Sequence, residues 1–206
     1  MTQRAEHVAA FVLHRRPWEE SGSIFELFTA THGRLSVFAR GVRGANARLA
    51  GVLQPFVPLL VSWAGRGEAP RLTGAETDHA TAVAEPLPSG RLMSAWYCSE
   101  LVLSLTVRHD PQPDLFDCYR EALAGLRRDE SQERVLRLFE KRLLDVLGYG
   151  LDGLDESSFA DAAQLEKIRP VLRARMAQCL EGRQLRTREV ARSLKEFERS
   201  WQAGER

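Results

Sequence analysis

Much of what would mark an enzyme is missing from these 206 residues. No Gly-Lys-Ser or Gly-Lys-Thr occurs, so no loop of that kind cradles nucleotide phosphates, and ATP hydrolysis is not expected. Gly-x-Ser-x-Gly and His-Glu-x-x-His are absent too, which removes two common hydrolase patterns. Cysteine is scarce: Cys98, Cys118 and Cys179 are odd in number and far apart, against both a disulfide framework and a CxxC-type zinc site. The histidines (His7, His14, His32, His79 and His109) are isolated from one another, and Asp152, Asp155 and Glu156 lack the spacing of a calcium loop. No metal or cofactor is expected. No uncharged apolar run approaches the roughly 20 residues of a membrane helix. The first residues lack the apolar core of a signal peptide, so the expectation is a cytoplasmic protein away from membranes.

What is present is an ordinary globular composition. Hydrophobic residues make up 44%, enough for a core, and 29 Lys and Arg against 28 Asp and Glu leave a net charge of +1. A nucleic-acid partner cannot be read from that balance; it must come from how charge is distributed. The distribution is uneven. Between Glu26 and Glu68 no acidic residue occurs, while Arg34, Arg40, Arg43, Arg48 and Arg66 do.

The first 80 residues have the period of strands. Residues 6–13, 23–29, 34–40, 56–63 and 70–77 form β-rich runs, with tight turns at His32-Gly33 and Gly65-Arg66-Gly67. Within 34–40, Leu35, Val37 and Ala39 alternate with Arg34, Ser36, Phe38 and Arg40, the period-two pattern of a half-buried strand. Pro58 puts its run at an edge or a bend. Five short strands in this span predict a small barrel, for which the OB-fold has the right strand count. After a Pro-rich connector at 85–90 the period becomes helical. A first helix carries Leu92, Met93, Trp96, Tyr97, Leu101 and Leu105 and breaks at 109–113. Asp114 can cap a second helix. Ser131 can cap a third, whose apolar face is Leu136, Phe139, Leu143 and Val146-Leu147, and Gly148 is placed to end it. Helices over 159–180, kinked or divided at Pro170, and over 187–201 complete the expectation. The fold class is α+β: a five-stranded OB-fold barrel over 1–82, followed by an all-helical domain over 83–206.

Three basic features are candidate sites. Arg34 and Arg40 share a strand face with Phe38, and Arg43 and Arg48 lie in a glycine-containing loop. Cations along a phosphate backbone with a ring on which a base stacks are what sequence-independent strand binding needs. The other reading is a solvated basic face with Phe38 packed on the neighbouring domain. On the third helix Arg134, Arg137 and Lys141 form an i, i+3, i+7 stripe beside Leu136 and Phe139. It reads as a receptor for a peptide ending in an apolar side chain and a carboxylate, or as an ordinary solvated edge. The cluster Arg183-Gln184-Leu185-Arg186-Thr187-Arg188 opens a helix. Cations there oppose the helix dipole unless an anion is bound, and Arg183 and Arg186 can extend a nucleic-acid path.

Several segments in order resemble the RecO family of bacterial DNA-repair proteins. They are residues 10–20, the stretch Gly33-Arg34-Leu35-Ser36-Val37-Phe38-Ala39-Arg40-Gly41-Val42-Arg43, then Leu53-Gln54-Pro55-Phe56, Gly65-Arg66-Gly67-Glu68, and the ending Leu147-Gly148-Tyr149-Gly150. The resemblance implies an OB domain followed by helices and a non-enzymatic recombination mediator. Such a protein binds single- and double-stranded DNA, anneals complementary strands, and holds the acidic, Phe-terminated tail of single-stranded DNA-binding protein. With RecR it helps load RecA. By the same resemblance Arg34, Arg40, Arg43 and Arg48 match basic positions of the OB domain, Arg137 matches an arginine that holds the tail, and the protein belongs at the nucleoid. The four-cysteine insertion of many members is absent here, and the region after Gly150 is shorter. The rival readings are an adaptor whose barrel does not bind DNA and a small nuclease, the latter lacking a carboxylate cluster.

Overall fold

A computed structural model describes residues 2–18, 20, 22–40, 48–82, 85–128 and 130–193. The strands are β1 (Thr2–Trp18), β2 (Gly22–Thr29), β3 (Gly33–Ala39), β4 (Leu59–Arg66) and β5 (Arg71–Thr77), with a short helix α1 (Arg48–Val52) between β3 and β4. They close a barrel in the order β1-β2-β3-β5-β4. Closure is possible because β1 is long enough to serve two partners. Its residues 10–18 pair with β2 and residues 2–10 with β4, and a register shift between Val12 and His14 bends it. The last seam is thin, a parallel bridge between Phe38 and Arg71 with Phe38 N–H donating to Pro70 O at 2.9 Å.

The expected five strands are all present, with three local differences. β1 runs on through Arg15, Arg16 and Pro17. β4 starts at Leu59, so Pro58 precedes the strand instead of interrupting it, and its missing N–H costs no ladder bond. Residues 48–52 are helical, so Arg48, expected in a loop, begins a short helix.

The helical part comprises α2 (Leu92–Leu105), α3 (Pro113–Arg127), α4 (Gln132–Val146) and α5 (Ala162–Leu180). Residues 186–193 are helical as well, and the expected helix beyond 193 lies outside the described residues. Asp114 does not cap α3. Gln112 stands at the N-cap with Pro113 in the first turn, where its absent N–H is no loss. Ser131 does cap α4, accepting from Arg134 N–H. Gly148, at φ +79°, ends α4 while Tyr149 N–H donates to Leu144 O at 2.8 Å, a Schellman closure. Pro170 does not divide α5, which is one helix. Among the described residues no helix is long and apolar enough to cross a membrane.

The packing joins the two parts. Val12, Phe25, Leu27, Leu35, Val37 and Trp63 fill the barrel. Phe11, Leu13 and Phe28 point the other way, into the helical core. Phe11 and Phe28 meet Phe116 and Tyr119 at ring separations of 5.2 to 6.1 Å. The expected boundary at 82/83 adjoins residues 83 and 84, which lie outside the described residues.

Candidate nucleic-acid interface

The outer face of the β1-β2-β3 ribbon changes character along its length, and the register shows how. Each cross-strand row places side chains on one face. The lowest row, Phe11, Phe28 and Arg34, is the domain contact. The next row is His14, Glu26 and Ser36. Here Glu26 is nearly buried. Its Oε1 accepts from Arg34 Nη1 at 3.0 Å, and its Oε2 from Ser36 Oγ at 2.9 Å and Arg108 Nη2 at 2.7 Å.

The third row is Arg16, Ile24, Phe38 and Arg71, and the fourth is Trp18 opposite Gly22, with Arg40 two residues beyond Phe38. In these upper rows Ile24 and Gly22 are buried, and the exposure falls on the arginines and Trp18. Arg16, Arg40 and Arg71 are exposed, and Trp18 is 48% exposed, unusual for an indole. The half-buried Phe38 ring lies over Gly22. A Cβ at that glycine would come within 2.6 Å of Phe38 Cε2, so only glycine leaves room for the ring. The Arg40 guanidinium stands 5.7 Å from the ring centroid, within cation–π range. Among the described residues no carboxylate pairs with Arg16, Arg40 or Arg71. One end of the barrel therefore displays two aromatic groups and three arginines on one face.

The remaining expected residues fall elsewhere. Arg34 is a correction: its side chain is 14% exposed, it pairs with Glu26, and it donates to Thr106 Oγ1 and O, so it ties the barrel to the segment after α2. Arg66 is exposed beside the β4–β5 turn, across from Thr2. Arg43 and the side chain of Arg48 lie outside the described residues. Three members of the open face were not singled out from sequence. Arg16 and Trp18 lie beyond the run 6–13 expected as the first strand, and Arg71 reaches Phe38 only through barrel closure.

The α4 stripe is also corrected. Arg137 donates from Nη1 to Glu140 Oε2 at 2.7 Å, with its side chain 14% exposed and that of Glu140 only 1%. Tyr97 hydroxyl donates to the other carboxylate oxygen at 2.7 Å. Burial pushes the Glu140 carboxyl above the usual carboxylate range, against the pull of Arg137 and Tyr97. Lys141 pairs with Asp145 at 2.6 Å, Leu136 packs against the helical core, and Phe139 is inside that core beside Tyr119. Of that set only Arg134 and the flank of Phe139 line a groove, about 390 Å³, between α3 and α4. Gly125 brings those helices together, since a Cβ there would meet Val135 at 3.0 Å. Arg128 and Arg142 line the groove too. The anion that the 183–188 cluster calls for comes from the protein itself. Glu100 of α2 accepts from Arg186 N–H at 2.7 Å and from Thr187 N–H at 3.0 Å, at the start of the last helix. Arg183 donates to Leu180 O and Ser104 O, joining α5 to α2. The Arg186 residue remains exposed.

A closed five-stranded barrel carrying an open basic and aromatic face, fused through a shared core to a helical bundle, is the class of protein that these observations define. Family models agree with both halves: recombination protein O N terminal matches residues 1–80, and recombination protein O C terminal matches residues 89–191. Proteins named DNA repair protein RecO are similar along most of the chain. That of Methylococcus capsulatus is 43% identical over 159 residues, 77% of this chain and 64% of the relative. That of Haemophilus influenzae is 42% identical over 151 residues, 73% of this chain and 63% of the relative. That of Aliivibrio salmonicida is 44% identical over 144 residues, 70% and 59%. The chain belongs to the RecO family. It matches about three fifths of the length of these relatives.

Proposed function

We propose that the chain serves DNA repair as a recombination mediator, binding DNA through the open end of the barrel. The observation that carries this is the juxtaposition of Trp18 and Phe38 with Arg16, Arg40 and Arg71 on one outward face. Guanidinium groups release counterions from the phosphate backbone, and rings stack on bases of any sequence. A single strand offers unstacked bases to such a face, so it is the preferred substrate. Duplex binding rests on the cations alone. Annealing follows from the same chemistry, because positive charge screens the repulsion between two strands and no bond is made or broken. The site in the cell is the cytoplasm, at the nucleoid.

The partner roles are proposed from the family and from the α3–α4 groove. The acidic, Phe-terminated tail of single-stranded DNA-binding protein fits a cleft with apolar walls at Val135, Leu138 and Phe139 and guanidinium groups at Arg128 and Arg134, which share the one carboxylate of Glu130 at 3.5 Å, whereas Arg142 is held by Glu121 and Glu156. Arg137, committed to Glu140, is replaced in that role by Arg128 and Arg134. Cooperation with RecR in loading RecA is the family's role and is proposed on that ground.

The test is binding of a labelled oligo(dT) across a salt series. Arg40→Glu together with Arg71→Glu should weaken binding at least about tenfold and flatten the dependence on log salt. Wild-type affinity in the folded double variant would return the chain to the adaptor reading.

A further inference from the structure

The row below the open face holds a cluster with unequal exposure. Glu26 is one carboxylate, and Arg34 and Arg108 are two guanidinium groups bound to it. The cluster therefore carries one surplus positive charge. Side-chain exposure is 11% for Glu26, 14% for Arg34 and 41% for Arg108, so the surplus is displayed at Arg108. Arg108 comes from the segment between α2 and α3, in the helical part, and yet it lies on the barrel's outer face. Glu26 and Ile24 are two residues apart on the same side of β2, about 7 Å along the strand. The Arg108 guanidinium, bound to Glu26, is thus one row below Ile24 and Phe38, while its backbone lies level with Arg34.

The segment is held there by its backbone. Arg34 and Arg108 form a parallel bridge, and His109 N–H donates to Arg34 O at 2.9 Å. His109 has φ +59°, which non-glycine residues seldom adopt. Gly33, at φ +65°, admits the approach, because a Cβ there would lie 2.2 Å from Asp110 O.

We propose that Arg108 is a phosphate contact which the helical part lends to the barrel's DNA face, so that docking of the two parts completes the site. This rests on the reading of that face as the DNA-binding surface. Glu26 orients the Arg108 guanidinium, and Arg34 neutralises Glu26, which leaves the charge of Arg108 available to the strand. The cationic face then runs along β3 from Arg40 down to Arg108, across the domain junction, with Arg16 two strands away on β1.

The experiment measures oligo(dT) binding of the full chain by fluorescence anisotropy across a salt series, with a thermal melt for each variant. Arg108→Gln should lower the slope of log affinity against log salt by about 0.7, the share of one phosphate on a single strand, which is about fivefold in affinity at roughly 0.1 M salt. Arg108→Lys should keep both near wild type, because it keeps the charge. Arg40→Glu runs alongside. If Arg108→Gln binds like wild type while Arg40→Glu binds weakly, the inference fails and the face stands. If both bind like wild type, the face itself fails. If Arg108→Gln binds weakly and Arg108→Lys binds equally weakly, the role is structural and the inference is overturned.

Discussion

On the barrel, Arg40 stands over the Phe38 ring with solvent around it; on α4, Arg137 is folded against Glu140 with almost none. The two guanidinium groups are chemically identical and answer to opposite demands. Around Arg40 the chain supplies no acid from Glu26 to Glu68 and leaves an aromatic ring below the charge. Around Arg137 it supplies a buried carboxylate, and the pair satisfies itself inside the fold, although Arg137 Nε finds no partner. The barrel leaves its upper cations without a carboxylate partner among the described residues. The helical part uses many of its own on internal acids: Arg137 on Glu140, Arg142 on Glu121 and Glu156, Lys141 on Asp145. A count of basic residues misses this difference, because what matters is which of them the fold leaves without a counterion.

Removing Arg137 gives the largest effect on this comparison. Arg137→Ala should cost on the order of 3 to 5 kcal/mol of stability, the usual penalty for orphaning a buried charge. Arg40→Ala, at an exposed position, should stay within about 0.5 kcal/mol. Urea unfolding of both variants checks it. Equal stability losses would erase the distinction between an internal and an outward arginine.

The aromatic side of the open face comes next. Phe38→Ala and Trp18→Ala should each weaken single-strand binding by about 1 to 3 kcal/mol, the worth of one stacked base, and change duplex binding much less. Titrations with oligo(dT) and with a hairpin duplex separate the two. Equal losses on both substrates would mean that the rings only shape the surface and stack on nothing.

The sequence was most legible where the signal is local. Alternation over 34–40 placed Leu35, Val37 and Ala39 inside the barrel, and Ser131 and Gly148 marked the ends of α4. Nonlocal facts were harder. The extension of β1 through Pro17 depends on pairing with β2, and Arg71 meets Phe38 only after the barrel closes. The i, i+3, i+7 stripe on α4 was a real pattern, but helical spacing does not show that Glu140 faces inward and takes Arg137 with it. Arg34 failed for the same reason, since Glu26 lies eight residues away in sequence and one strand away in space. The conflict of cations with the helix dipole at 183–188 was legible, and so was the need for an anion; that Glu100 supplies it was not.

The smallest effect concerns the acids that hold these arginines, and it is read in pH. Glu156 accepts two hydrogen bonds from Arg142 at 2.6 and 2.8 Å, which hold its carboxyl below the usual range. Its native state gives up the proton earlier than the unfolded chain does. The stability it contributes is therefore present above the ordinary carboxylate pKa and is lost as pH falls through the lowered one. Glu140 has the opposite sign. Burial raises its pKa, so the native state keeps a proton that the unfolded chain has released, and stability falls as pH rises between the two values. Glu156→Gln should make the rise of stability with pH shallower across the acid range, and Glu140→Gln should make it steeper. Because the reading is a slope, a constant loss from an unpaired Arg137 does not disturb it. The Glu156 share should be small, below about 1 kcal/mol, because the pair is half exposed and water screens it. Urea midpoints at a series of pH values measure both slopes. If the two variants shift the slope in the same direction, the buried and the solvent-facing carboxylates are not opposites, and the division between inward and outward charge in the helical part is wrong.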